Sequence, residues 1–457
     1  MEQLKITHIN TVADAGGAAK FVMRLSGDQR MRGHEVHVLA SRSAGRCDYV
    51  HSFDVQPDSA LRPRVASRED LYYEFQGSHY LVDHPLVRSA DVLHLSNLHG
   101  AYFNPWSLSA LSHVKPVVWT LHDMQSITGH CAHSFHCERW RTGCGDCPDL
   151  SIYPSLPVDS TARLFRDKQI IYDHSYLQIV TPADWLRKKL AAGILRDHPV
   201  ELIYNACDTK VFRPLDKAAI RQQLGIPPQA FVVGGLAHSG VLANVWKGGQ
   251  YTLAVLDRLK KLIPHLLFLN IGATGKSADP VIFNVSPVQE EATLARLYNV
   301  LDVFLYTPVA DTCPLVVIEA LACGIPIVTY DTGGIPELVR DKRDGFVFRQ
   351  GEIADTTYAV RAMHGNRVLR QSMGEYARQA ALERFTLGHM TDHYLDLYHR
   401  WIDRHARQVR TIKYFDLNRV PEVIRTEAFF RAERAKATSC QTHHKSDAST
   451  SACLRPV

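Results

Sequence analysis

Residues 310–345 read ADTCPLVVIEALACGIPIVTYDTGGIPELVRDKRDG. Asp311 stands eight positions before Glu319, with Pro314 and an apolar run between them. Eight residues is a little over two helical turns, but Pro314 and the β-branched Val316–Val317–Ile318 describe a loop running into a helix start. Two carboxylates then share one helix N-terminus, where backbone N–H groups point at the same place. Carboxylates accept hydrogen bonds from sugar hydroxyls and helix-start amides bind phosphate, so the arrangement suits a nucleotide-sugar. The strand PIVTYD and the tight turn Gly333–Gly334 complete a helix–strand–turn unit of a parallel α/β sheet.

The same alternation runs outward in both directions. The first half offers the strands LKITHI, EVHVLA, VLHLS, PVVWTLH, LQIVT and VELIYN. The second offers FVVGGLA, LLFLNIG, VIFNV, DVFLYT, PIVTYD and GFVF. Two sets of strands with intervening helical patterns predict two doubly wound domains. The boundary falls after YNACDTKVFRPLD, where Arg213–Pro214 breaks the chain before AAIRQQLG. We divide the chain into a first Rossmann-like domain at 1–205, a linker at 206–215, a second domain at 216–385, a helix at 386–410 and a tail at 411–457. The end of that tail reads as disordered.

Composition excludes several classes. Hydrophobic content of 46% and charged content of 22% describe an ordinary globular chain. No run of eighteen apolar residues and no leader pattern is present, so a cytoplasmic location is expected. The net charge is +5, and the tail carries eight Lys and Arg against five Asp and Glu. The body is therefore nearly neutral, and no nucleic-acid partner is expected. Residues 181–196, TPADWLRKKLAAGILR, offer a basic amphipathic helix for peripheral membrane contact, or a solvated face.

Several positions outside 310–345 could carry chemistry. Gly16 and Gly17 open the first helix after a strand, where backbone N–H groups can meet a ligand. The glycines do not form G-x-G-x-x-G, which counts against a nicotinamide enzyme. His122 and Asp123 end the strand PVVWTL, and side chains there face the ligand crevice of a parallel sheet. His122 could equally satisfy nearby backbone, and Asp123 could cap the loop.

From residue 311 onward the sequence resembles the donor-binding signature of retaining glycosyltransferases of family 4, and EALACGIPIVTYDTGGIPELV follows that signature closely. RMRGHEVHVLA and the linker positions Asn205, Asp208, Phe212 and Pro214 resemble the same family. The resemblance implies a GT-B fold, with two Rossmann-like domains facing a central cleft and the C-terminal helix crossing back onto the first. It implies a nucleotide-sugar donor, a glycan or lipid-linked acceptor, transfer with retention, and no cofactor for catalysis. By resemblance Glu319 takes the ribose hydroxyls and Asp311 the sugar hydroxyls. Thr312, Cys313 and Leu315 line the pocket with backbone, and His122 contacts the donor sugar. Lys247, followed by Gly248–Gly249, reaches the diphosphate. The family commonly carries an Arg ahead of this Lys; this chain has His238 and Ser239 there instead. A nucleotide-sugar epimerase of the same fold, or a non-catalytic sugar-nucleotide-binding subunit, are the alternatives.

Four of the ten cysteines, Cys131, Cys137, Cys144 and Cys147, cluster in GHCAHSFHCERWRTGCGDCP, an insertion at 130–148. The closing C-x-x-C makes a good zinc chelate, and four thiolates complete a tetrahedral structural site. Free buried thiols and disulfides are the other readings, with His130, His133 and His136 as alternative ligands.

Overall fold

The computed structural model describes residues 2–42, 47–53 and 75–411. Met1–His405 form one compact unit; Ala406–Val457 form a second, described only through the end of the last helix, so the tail composition lies outside the described residues.

Two parallel sheets organise the first unit. One has the order β3-β2-β1-β4-β5-β6-β7 and the other β10-β9-β8-β11-β12-β13. The first comprises β1 Lys5–Val12, β2 Glu35–Arg42, β3 Val50–Ser52, β4 Val92–Leu95, β5 Val117–Thr120, β6 Leu177–Thr181 and β7 Val200–Leu202. The second comprises β8 Phe231–Leu236, β9 Leu266–Ile271, β10 Ile282–Val285, β11 Val303–Tyr306, β12 Ile327–Tyr330 and β13 Gly345–Phe348. Strands such as β4, β5, β11 and β12 are buried at every residue, because helices cover both faces of a parallel sheet. All twelve strands read from the sequence are present. The additional β3 is a three-residue edge strand, VHS, too short and polar for periodicity to mark.

Strand order reverses between β1 and β4, in register Ile9↔Leu95, and between β8 and β11, in register Val233↔Val303. A crevice opens at the carboxyl ends of the strands beside each reversal. Cys207 bridges Thr386, tying the segment after β7 to the entrance of the helix Leu387–Thr411. That helix buries Met390, Tyr394, Tyr398 and Trp401 in the same cluster as Ile6, Val22, Val38 and Val118 of the first sheet and its helix. Among the described residues no helix is long and apolar enough to cross a membrane.

The basic run at 187–189 lies on a helix of only seven residues, Asp184–Leu190. Arg187 and Lys188 both pair with Asp184, and Lys189 sits over the rings of Trp140 and Trp185. The backbone N–H groups of Asp184 and Trp185 donate to Glu337 from the other sheet's layer, at 2.6 and 2.7 Å. Arg187 and Lys188 remain exposed, while Lys189 is drawn onto the two tryptophans.

Candidate active site

The turn Asn244–Gly248 follows β8 and precedes the helix Gly249–Leu259. Lys247 N–H donates to Asn244 Oδ1 at 3.0 Å, and Val309 N–H donates to the Trp246 carbonyl at 2.9 Å. Gly248 adopts φ +68°, and a Cβ there would collide with the Thr307 carbonyl oxygen. Only glycine lets the turn lie this close to the end of β11. The result sets Lys247 Nζ on Asp311 Oδ2, and the Tyr306 hydroxyl donates to the same oxygen. Lys247 is 29% exposed and Asp311 15%. Burial, with Asp311 beside it, pushes the Tyr306 hydroxyl well above its ordinary pKa, so it remains a donor. Gly333, at φ +58°, and Gly334 press on the Asp311 and Thr312 carbonyls, so the turn after β12 closes this loop from behind.

Thr312, Cys313 and Leu315 are buried around the start of the helix Leu315–Ala322, and Asn205 Nδ2 donates to the Cys313 carbonyl at 2.8 Å. His238 is exposed at the end of β8. Gly16 and Gly17 open the helix Gly16–Met31, and a Cβ at either would meet nothing within 4 Å.

Glu319 departs from the picture of two carboxylates sharing one helix start. It lies a turn inside the helix and is 0% exposed. Arg24 Nη2, from the first domain, donates to its Oε1 at 2.6 Å, and the Tyr298 hydroxyl donates to Oε2 at 2.9 Å. Arg24 Nε also pairs with Glu291 at 2.7 Å, and its Nη1 reaches the Ala206 carbonyl at 3.2 Å. Burial works against the guanidinium charge, and Glu319 with Glu291 more than offsets it. Arg24 also lines a cavity of about 450 Å³ with Asp14, Lys20, Asp208, Gln289 and Glu291. No local pattern marks this pairing, because Arg24 falls on an ordinary helical repeat.

On the first domain, His122 packs edge-on against Phe21 with ring centroids 4.9 Å apart. Its Nε2 is buried without a hydrogen-bond partner among the described residues. Burial lowers its pKa to about 4, against the pull of Asp123, so the ring is neutral at pH 7. Asp123 does two things at once. Its Oδ1 accepts from Gln125 N–H at 2.9 Å as a loop cap, and its Oδ2 accepts from His99 Nε2 at 2.8 Å. Burial tends to raise its pKa, and His99 with the Gln125 N–H holds it below the usual carboxylate range. His99 was missed from sequence; its place just past the end of β4 was the available signal.

The cysteine-rich insertion spans both domains. His133 stacks on Trp185 with centroids 5.5 Å apart and planes 10° from parallel. Phe135 meets Trp246, the neighbour of Lys247, at 5.4 Å. Burial and Lys189 hold the His133 pKa at about 4 against Asp311 and Asp123, the carboxylates of the two domains. The four cysteines are free thiols. Among the described residues no group of three or more His, Cys, Asp or Glu side chains is arranged to hold a metal ion, so the tetrahedral set expected from spacing is not assembled here.

This geometry can hold an anion at Lys247, orient hydroxyls at Asp311, and enclose both under an aromatic loop. Comparison with known proteins gives the family and the fold. The model of Glycosyltransferase Family 4 matches residues 15–211, and that of Glycosyl transferases group 1 matches residues 282–380. The chain is 24% identical over 418 residues to WcaC of Escherichia coli K12, described as a colanic acid biosynthesis glycosyl transferase, covering 86% of this chain and 99% of that protein. Sucrose-phosphate synthase of Thermosynechococcus elongatus superposes with a TM-score of 0.64 at 15% identity, covering 87% of this chain and 99% of that one. Anabaena HepE, solved with UDP-glucose, superposes at 0.61 and 17% identity, covering 86% and 99%.

Proposed function

The chain belongs to the family 4 and group 1 glycosyltransferases of GT-B fold, and we propose that it transfers a sugar, with retention, from a nucleotide-sugar to a hydroxyl of a glycan or lipid-linked acceptor. The observation that carries this reading is the Lys247–Asp311–Tyr306 cluster at the crevice of the second sheet, beneath the Phe135–Trp246 contact.

The donor arrives with its leaving group attached, so the protein's task is orientation and stabilisation of negative charge. The acceptor oxygen bonds to C1 on the face from which the diphosphate departs. The C1–O bond breaks, and the acceptor's proton passes to a departing phosphate oxygen. Lys247 Nζ, a compact charge with three donors, stabilises that phosphate and supplies the charge a metal ion would otherwise bring. Tyr306 and Lys247 share Asp311 Oδ2, leaving Oδ1 for a sugar hydroxyl. Neutral His122 serves as a hydrogen-bonding group toward the donor sugar. Glu319 is fully buried against Arg24 and Tyr298, so ribose reaches it only where that packing opens, and donor binding then competes with the Arg24 contact between the domains.

The likeness to WcaC supports a place in surface-polysaccharide or glycoconjugate assembly. We place the reaction in the cytoplasm, at the inner face of the plasma membrane when the acceptor is lipid-linked, because a charged donor does not cross a bilayer. The test is a thermal-shift screen of nucleotide-sugars, followed by NMR of the product formed with a matched acceptor. Retained anomeric configuration and a rate insensitive to a chelator are expected. An inverted product would refute retention, a free epimerised sugar would make the chain an epimerase, and binding without turnover would make it a sensing subunit.

A further inference from the structure

The tip of the cysteine-rich insertion, His133–Phe135, touches both domains, and its stem is rooted in the first. Ala132 N–H donates to the Tyr153 carbonyl at 2.7 Å, and the Ala132 carbonyl accepts from Met124 N–H at 2.9 Å. Buried His130 engages the Pro154 carbonyl through Nδ1 at 2.7 Å. Buried Lys168, on the helix Thr161–Asp173, donates to the carbonyls of Gln125 and Thr128. Trp140 packs in the core of the first sheet with Ile127, Leu186 and Leu190. A loop pinned at this many backbone groups carries its tip to a fixed place.

At that tip the backbone is strained. Phe135 adopts φ +48°, a left-handed conformation that a bulky residue takes only at a cost. Two contacts offset it. Phe135 N–H donates to His133 Nδ1 at 3.0 Å, which leaves the proton of the neutral imidazole on Nε2 while the ring lies on Trp185. The Phe135 ring meets Trp246 with centroids 5.4 Å apart and planes 52° from parallel, a favourable aromatic geometry. The Trp246 carbonyl accepts from Val309 N–H at 2.9 Å and from Ala310 N–H at 3.3 Å. Lys247 follows Trp246 and Asp311 follows Ala310, so the Phe135 ring bears on the residue that ties the Lys247 turn to the Asp311 loop.

We propose that Phe135 is a positioning residue for glycosyl transfer: pressed on Trp246, it holds the Lys247 turn closed over the donor and keeps water from the reacting sugar carbon. This role rests on the donor site assigned above. Water can otherwise take the acceptor's place. Its oxygen bonds to C1 and the C1–O bond to the diphosphate breaks. One proton stays on the new sugar hydroxyl and the other passes to the departing phosphate. A closed, dry site suppresses that loss of donor.

Phe135→Gly is the decisive variant, because glycine accepts φ +48° without strain and keeps the N–H that His133 binds. Its melting temperature should stay close to the parent's. With a matched donor and acceptor, the ratio of glycosylated product to free sugar should fall about tenfold or more. Amide exchange at Lys247, Gly248 and Val309 should quicken about tenfold as the turn loosens. Phe135→Tyr, which keeps the ring, should retain the parent's ratio and exchange rates. A parental ratio in Phe135→Gly, or parental exchange at Val309, would overturn the proposal. A parent chain that neither transfers nor hydrolyses any nucleotide-sugar would instead sink the glycosyltransferase reading, and exchange at Val309 would still decide whether Phe135 holds the turn.

Discussion

Replacing Lys247 by Ala tests the proposed donor site most directly. Its Nζ neutralises Asp311 in the present structure, and both groups are mostly shielded, at 29% and 15% exposure. At the effective dielectric of about 20 typical near a protein surface, two unit charges about 4 Å apart interact by about 4 kcal/mol. The substitution removes attraction for the departing diphosphate and leaves the Asp311 charge unmasked beside it. Allowing for water entering the gap, the transition state loses about 2–4 kcal/mol, a fall in kcat/KM of roughly 30- to 1000-fold. Adding Asp311→Asn to Lys247→Ala removes the unmasked charge and should recover about 1–2 kcal/mol of that loss. Initial rates with a matched donor and acceptor, with calorimetric donor affinity for all four proteins, complete the cycle. If Lys247→Ala stays within twofold of the parent, or if the two substitutions act independently, the pair does not face the diphosphate.

Arg24→Met leaves Glu319 buried with Tyr298 as its remaining partner among the described residues, and should cost about 3–5 kcal/mol in thermal or denaturant unfolding. The same variant should bind donor more tightly once Oε1 is free; unchanged or weaker donor affinity would remove Glu319 from the ribose role. Gly248→Ala should displace the Lys247 turn from Thr307 and lower transfer at least tenfold, whereas Gly17→Ala, with open space around it, should leave stability nearly unchanged; melting curves and rates together separate the two. His8, buried in β1 with its Nε2 on Gln29 Oε1 at 2.8 Å, has its pKa lowered to about 4, chiefly by burial. Its unfolded form takes a proton first, so its contribution is complete above pH 6.5 and is lost as pH falls toward 4. The fall from 6.5 to about 4 corresponds to about 3 kcal/mol. His8→Phe should flatten the stability profile in that window, and an unchanged slope would contradict a neutral buried ring.

Local sequence determined the architecture. Central parallel strands such as β4, β5, β11 and β12 are covered on both faces, so they are largely apolar runs, and such runs are visible one at a time. The Gly333–Gly334 turn was equally legible, because a glycine pair after a strand marks a tight turn. The donor motif from Asp311 to Gly334 is contiguous, so its spacing carried its meaning. The partners of these residues were decided by the tertiary structure alone. Arg24 meets Glu319 across 295 positions, and His99 meets Asp123 from the neighbouring strand end. Nothing in the periodicity of the helix Gly16–Met31 distinguishes Arg24 from a solvated arginine, because its burial depends on a second domain closing over it. The same holds for Phe135 and Trp246, which meet only where the cysteine-rich insertion reaches the Lys247 turn. Chain-local order follows from backbone preference and burial pattern, whereas pairing between distant side chains is set by how the two sheets pack, which short-range sequence does not encode.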